Sequence, residues 1–223
     1  MIGEPDFGFK IFAVGDIHGC LTSLEKLLDQ IPINWGKDYL IFLGDYIDRG
    51  PDSRAVIDLL IELKKEYPER IITLKGNHEW MLERFLKGID MEIYLYNGGE
   101  ATLRNYFNYK TGKLEIPSEH LEFLKNLKLY FEWSNYIFVH AGLRPGIPLE
   151  FQTEEDLLWI RNSFYFSEES FPKVIVFGHT PFAVPLVLKD RIGIDTGCVY
   201  GGYLTAVELP ELKFYQTPCG GRL

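Results

Sequence analysis

Four of the 5 histidines in this 223-residue chain share one setting. His18 in GDIHG, His78 in GNHE, His140 in VHAG and His179 in GHTP each follow a short apolar run and stand beside glycine or another small residue. Small residues let the backbone turn sharply and aim side chains from several strand ends at one place. Imidazole and carboxylate are the usual ligands of borderline first-row divalent metals. Asp16 and His18 stand two residues apart, so at a strand end they leave the same side and can chelate one ion together. Asp45, at the equivalent end of the next run in GDYIDRG, can bridge two ions, and Asn77, His140 and His179 can close a second site. Two carboxylates, three imidazoles and one amide are too many donors for one catalytic ion that must also keep a water, so two ions fit better. In GNHE the neighbours Asn77 and His78 are both capable of chemistry, and their spacing does not divide the roles. His120, in SEHLEFL, reads as an ordinary helix-face residue.

These residues need elements that end at one place. FKIFAVG (9–15), YLIFLG (39–44) and IITLKG (71–76) are apolar runs of strand character that end in Gly-Asp or Gly-Asn. Between them Leu21, Leu24, Leu27 and Leu28, then Val56, Leu59, Leu60 and Leu63, recur at helical steps. The pattern is β-α-β-α-β, which implies parallel strands with right-handed crossovers and a ligand site beyond their carboxyl ends. A helical cap region is expected at about 81–126, broken by a turn at NYKTGKLEIPS, with Pro117 and Ser118 opening the next helix. From Lys128 onwards LKLYFEW, NYIFVHAG, VIVFGHT and two hairpins, turning at Lys189-Asp190 and Pro210-Glu211, predict a second sheet. The expected architecture is α/β, one domain over 1–223, with two packed sheets flanked by helices.

Composition narrows the function. The net charge of −9 disfavours nucleic-acid binding through phosphate neutralisation and suits a cation site. No apolar run reaches the roughly 18 residues of a membrane span, and the N-terminus, with Glu4 and Asp6, does not read as a secretory signal, so a cytoplasmic protein is expected. Cys20, Cys198 and Cys219 are odd in number and lack C-x-x-C spacing, so the thiols are expected to be reduced, with Cys20 a packing residue. No cysteine has arginine six residues later, and neither a G-x-S-x-G elbow nor a Walker A loop occurs.

GDIHG, GDYIDRG, GNHE, HAG and GHT, in this order, resemble the metallophosphatases of the calcineurin-like phosphoesterase superfamily, whose fold is a two-sheet sandwich in four layers, α/β/β/α. YNGGEATLRNY (96–106), LLWIRNSF (157–164) and IDTGCVYGGYLTAVEL (194–209) look further like the short bacterial and phage branch of serine/threonine protein phosphatases. The resemblance implies that Asp16, His18 and Asp45 hold metal one, and that Asp45, Asn77, His140 and His179 hold metal two. It makes His78 the general acid, held by Asp48, and makes Arg49 and Arg161 the phosphate-binding arginines. Lys75 stands where arginine often precedes GNHE, a departure that puts little in doubt beyond the local electrostatics. Asp195 reads as a turn-capping residue outside this set.

Two divalent ions about 3.5–4 Å apart can share a water, lower its pKa and present hydroxide for in-line attack on phosphorus. Manganese is the ion expected to serve in vitro, and iron or zinc would accept the same donors. The expected activity is hydrolysis of phosphoserine and phosphothreonine in proteins. The alternative is a symmetrical bis(5'-nucleosyl)-tetraphosphatase, with small phosphorylated molecules as substrates; a non-catalytic scaffold would not keep every ligand and the acid. Neither nucleic acid nor membrane is an expected partner.

Overall fold

The computed structural model describes residues 8–220. Glu4 and Asp6, on which the reading of the N-terminus rests, lie outside the described residues. The first half of the chain runs β1 (Ile11–Val14), α1 (Leu21–Gln30), β2 (Tyr39–Phe42), α2 (Ser53–Glu66), β3 (Ile71–Thr73) and α3 (Asn77–Leu86). Strands β1, β2 and β3 are parallel neighbours, with Val14 beside Phe42 and Phe42 beside Thr73, so their carboxyl ends are level. Then come α4 (Met91–Tyr94), a π-helical turn over Leu95–Gly99, α5 (Glu100–Tyr106), a two-stranded ribbon of β4 (Phe107–Asn108) and β5 (Lys113–Leu114), and α6 (Ser118–Lys125). Helix α6 begins at Ser118 after Pro117, as the sequence predicts, and the turn in NYKTGKLEIPS (108–118) closes a short hairpin.

The second half supplies β6 (Tyr130–Trp133), β7 (Tyr136–Val139), α7 (Glu154–Trp159), α8 (Asn162–Tyr165), β8 (Val174–Phe177), β9 (Leu186–Val187), β10 (Arg191–Gly193), β11 (Asp195–Thr196), β12 (Tyr203–Leu209) and β13 (Lys213–Pro218). Strands β6, β7, β8, β10 and β9, in that spatial order, form the second sheet. The final hairpin does not join them. Strand β12 lies antiparallel against β1, pairing Val14 with Ala206, and carries β13 on its other edge and β11 at its start. The first and last described strands therefore lie in the same sheet.

Alternation along the strands separates three apolar layers, because successive side chains leave opposite faces. Phe12, Val14, Leu40 and Phe42 face Leu24 and Leu27 of α1 and Val56 and Leu60 of α2. Their neighbours Ile11, Ala13 and Ile41 face Phe138, Val176 and Ile192 of the second sheet, forming the layer between the sheets. Ile137, Val139, Ile175 and Phe177 cover the other face of that sheet with Leu157 and Phe164 from α7 and α8. The layers are α/β/β/α, as expected. A fully buried side chain of this kind contributes roughly 1.5–3 kcal/mol.

Two further expectations are corrected. Cys198 and Cys219 form a disulfide, 21 residues apart in sequence, so they are not free thiols, and Cys20 is the free cysteine among the described residues. The pairing carries no local signature because the final hairpin creates it: Tyr203 pairs with Pro218, and Cys219 N–H donates to Gly202 O at 2.9 Å. His120 is buried rather than lying on an ordinary helix face, with Tyr106 Oη 2.8 Å from its Nδ1 and Asp58 Oδ1 2.8 Å from its Nε2. Its face of α6 packs against α2 and α5, which one amphipathic pattern could not reveal.

Candidate metal centre and active site

The loops after β1, β2, β7 and β8, with Asn77 and His78 opening α3 just beyond β3, deliver every residue expected at the site except Arg161, which follows α7. Eight non-glycine residues among those described have left-handed φ, and five of them are His18, Asp45, Asp48, Arg49 and His179. Each costs of order 1–3 kcal/mol and persists only where surrounding bonds hold it. Here His18 N–H donates to Asp45 O at 2.8 Å, and Arg49 N–H donates to Gly98 O at 3.1 Å. Gly76 is needed because a Cβ there would stand 2.1 Å from Asp45 Oδ1 and 2.4 Å from Asp45 N.

Asp45 lies between two groups of imidazoles. Its Oδ2 is 3.4 Å from His18 Nε2 and 4.0 Å from His78 Nε2, while its Oδ1 is 3.5 Å from His140 Nε2. Two sets of metal-competent donors result, His18, Asp45 and His78 in one, Asp45, His140 and His179 in the other, all buried. His18 Nδ1–H donates to Ile47 O at 2.8 Å and His140 Nδ1–H to Leu43 O at 2.9 Å, which leaves both Nε2 atoms with lone pairs facing the cleft. Asn77 Oδ1 lies 2.8 Å from His140 Nε2 and 3.0 Å from His179 Nδ1. Acceptors converging at about 3 Å match the spacing of neighbouring ligands around an ion with bonds of about 2.1 Å.

Asp16, expected to share an ion with His18, lies outside the two donor sets. Its two oxygens accept His179 N–H at 3.1 and 3.0 Å, tying the end of β1 to the end of β8. Burial, with the carboxylates of Asp195 and Asp45, raises its pKa well above the ordinary value, and burial pushes Asp195 up to about 6. A crowd of buried carboxylates invites a cation. Burial lowers the pKa of His18, His140 and His179, which favours the neutral imidazole that metals require. The donor set therefore fits divalent ions. Asp195 Oδ1 also accepts Gly197 N–H at 2.9 Å, the turn-capping contact read from the sequence.

His78 has one ring nitrogen engaged and one not. Nδ1–H donates to Asp48 Oδ2 at 2.7 Å, while the buried Nε2 has no partner. Arg49 Nη1 donates to His18 Nε2 at 2.6 Å, so this guanidinium stands at the mouth of the first donor set. Arg161 is exposed, donating from Nη1 to His179 O and Thr180 Oγ1, both at 3.2 Å. Lys75 is paired with Glu83 at 2.8 Å.

Three supporting residues went unread. Glu79, the last letter of GNHE, is fully buried, and its carboxylate accepts N–H groups from Asp45 and Gly76 at 2.9 Å and Tyr46 at 2.8 Å. It locks the Asp45 turn onto the start of α3, and burial pushes its pKa up to about 8. A carboxylate at the third helical position is a capping signal, so this role was legible. Tyr94 and Thr102 were not: their hydroxyls donate to Asp48 Oδ1 at 2.7 and 2.6 Å, Thr102 from within YNGGEATLRNY, a segment read only for its family likeness.

A two-sheet α/β sandwich with a carboxylate shared between two imidazole groups at its strand ends defines a metallophosphoesterase. The calcineurin-like phosphoesterase family model matches residues 9–209, and the chain belongs to that family, whose members work with divalent metal ions. A protein of Oceanobacillus iheyensis named bis(5'-nucleosyl)-tetraphosphatase PrpE [asymmetrical] is 33% identical over 92% of this chain and 90% of its own. A crystal structure described as a putative diadenosine tetraphosphatase superposes with a TM-score of 0.75 at 27% identity, covering 97% of this chain and 96% of that one. A cold-active protein tyrosine phosphatase, 18% identical with a TM-score of 0.67 over 93% of this chain and 78% of that one, shares the fold. The relatives' names carry the tetraphosphatase alternative rather than the protein phosphatase branch.

Proposed function

We propose that this protein hydrolyses dinucleoside tetraphosphates asymmetrically, to a nucleoside monophosphate and a nucleoside triphosphate. The observation that carries the substrate is the 33% identical relative named for that reaction and aligned along 92% of the chain. It replaces phosphoserine and phosphothreonine as the favoured substrate, and it replaces the symmetrical outcome weighed from the sequence.

In this reading Asp16, His18 and Asp45 hold one divalent ion, and Asp45, Asn77, His140 and His179 hold the other. When bound, the ions supply an activated water and gather charge from the phosphoryl oxygens. Arg49 and Arg161 bind phosphate oxygens, for which planar guanidinium is well shaped. His78 gives a proton from Nε2 to the departing oxygen, and Asp48 holds the ring through Nδ1. Anionic substrate, a basic rim and buried neutral imidazoles belong together in one cleft.

The test is a side-by-side assay with manganese on diadenosine tetraphosphate, a phosphoserine peptide, a phosphotyrosine peptide and p-nitrophenyl phosphate, with chromatography of the products. AMP and ATP from the dinucleotide, at a higher kcat/KM than either peptide, is the expected result. Two molecules of ADP would make the enzyme symmetrical. Efficient turnover of the phosphoserine peptide alone would restore the protein phosphatase reading.

A further inference from the structure

Beside the second donor set lies a cavity of about 430 Å³ walled by Trp80 and Trp159, with Arg84, Ile93, Glu154 and Glu155 around it. Its volume falls within the range of small-ligand pockets, about 300–1,000 Å³. We infer that this cavity is a nucleobase subsite and that it places the α-phosphorus of the same nucleotide at the metal centre; the inference rests on the dinucleotide reading above.

Position is the first argument. The Trp159 ring stands edge-on to His179, with centroids 6.1 Å apart, so the cavity adjoins the second donor set. Arg161, two residues beyond Trp159, reaches His179 O, while Arg49 stands at His18, on the other donor set. A base held against Trp159 has only its ribose between it and its α-phosphate. The β-, γ- and δ-phosphates then run away from the tryptophans towards Arg49 and the cavity of about 610 Å³ lined by Arg49, Arg104 and Asn105.

Chemistry is the second argument. The two indoles meet at 82° with centroids 5.9 Å apart, and both are held in place. Trp80 Nε1–H donates to Glu154 Oε2 at 3.3 Å, and Arg84 lies 4.7 Å over the Trp80 ring while paired with Asp90. Fixed indole surfaces suit a flat heteroaromatic ring. The carboxylates of Glu154, Glu155 and Asp90 on the same lining repel phosphate but accept hydrogen bonds from an exocyclic amine, as adenine carries. A polyphosphate chain or an acidic phosphopeptide is thereby turned away from this side, and a base is admitted.

The regiochemistry follows. Water oxygen bonds to the α-phosphorus, the bond from that phosphorus to the α,β-bridging oxygen breaks, and the bridging oxygen leaves on the triphosphate. At neutral pH the water's two protons are released. The products are a nucleoside monophosphate, carrying the water oxygen, and a nucleoside triphosphate.

Two measurements test this. Hydrolysis of diadenosine tetraphosphate in 18O-water is expected to label AMP; label in ATP would place the attack on the β-phosphorus and overturn the inference. The second is the ratio of kcat/KM on diadenosine tetraphosphate to that on p-nitrophenyl phosphate, which has no base. In Trp80→Ala and Trp159→Ala it is expected to fall roughly 10- to 100-fold. Ile93→Trp, at a half-exposed lining position, fills the cavity without removing core packing and is expected to lower the same ratio. An unchanged ratio in all three variants, with the wild-type enzyme active on the dinucleotide, overturns the subsite alone. A wild-type protein inactive on the dinucleotide overturns both the subsite and the proposed function.

Discussion

Asp48 Oδ2 accepts the Nδ1–H of His78 at 2.7 Å, and the opposite ring nitrogen of His78 is buried without a partner. On the proposed acid role, the ring is fixed through one nitrogen and gives its proton from the other. The need for that proton depends on the leaving group: an alkoxide is a poor one, while nitrophenolate carries its charge stably. His78→Asn is expected to lower kcat on a phosphoserine peptide or other alkyl phosphate by about 10²–10⁴-fold, with a much smaller loss on p-nitrophenyl phosphate. Metal analysis of the variant should still find both ions. Loss of an ion would make His78 a ligand, which its place in the first donor set permits, and would remove the acid assignment.

Asp48 is itself held. Tyr94 and Thr102 donate to its Oδ1, and its own N–H donates to Ser53 Oγ at 3.0 Å. Tyr94→Phe leaves one buried carboxylate contact unmade, and such losses cost about 1–3 kcal/mol. Denaturation should show a destabilisation of that order, and kcat should fall with the metal content unchanged. A variant with full kcat would show that Asp48 does not need this anchor to align His78.

On the proposed assignment the folded cluster holds ions that an unfolded chain does not assemble, so metal and stability are linked. At a free ion concentration 100–1,000 times the dissociation constant, the stabilisation is about 3–4 kcal/mol. Stripping with a chelator is expected to lower Tm and restoring manganese to recover it. Because Asp45 is common to both donor sets, Asp45→Asn should lose both ions, whereas His179→Asn should lose mainly one. Equal loss in the two variants would argue against a shared carboxylate.

The candidate site was largely legible because its residues sit at or just beyond the ends of strands. An Asp or His flanked by glycine at a strand end announces itself whatever the rest of the chain does. The two-sheet layering was legible from apolar runs and periodicity for the same local reason. What escaped depends on pairing between distant segments. Nothing in YLTAVEL says that β12 returns to lie against β1 rather than extending the second sheet. Nothing near Tyr94 or Thr102 says that a π-helical turn brings both hydroxyls onto Asp48. Trp159 stood in LLWIRNSF without a role of its own; it closes a helix fixed by a reciprocal cap between Thr153 and Asp156, and the same rigidity holds it beside His179.

The disulfide is the clearest product of such long-range pairing, and it sets up a test on thiols. Cys198 follows β11 and Cys219 follows β13, so the bond fastens the last strand to the turn beside Asp195. A closed loop of this length, with its ends 21 residues apart, stabilises by about 3 kcal/mol in the chain-entropy account. For a chain of this size that corresponds to about 6–12 °C in Tm. Thiol titration of the denatured oxidised protein is expected to find one group, Cys20, and all three cysteines after reduction. In the native protein that one thiol should react slowly at neutral pH, because burial and then the nearby Asp52 carboxylate push its pKa up to about 11 and keep it protonated. Three groups titrating without reductant, or a Tm indifferent to reduction, would mean that the hairpin is held in place by its strand pairing alone.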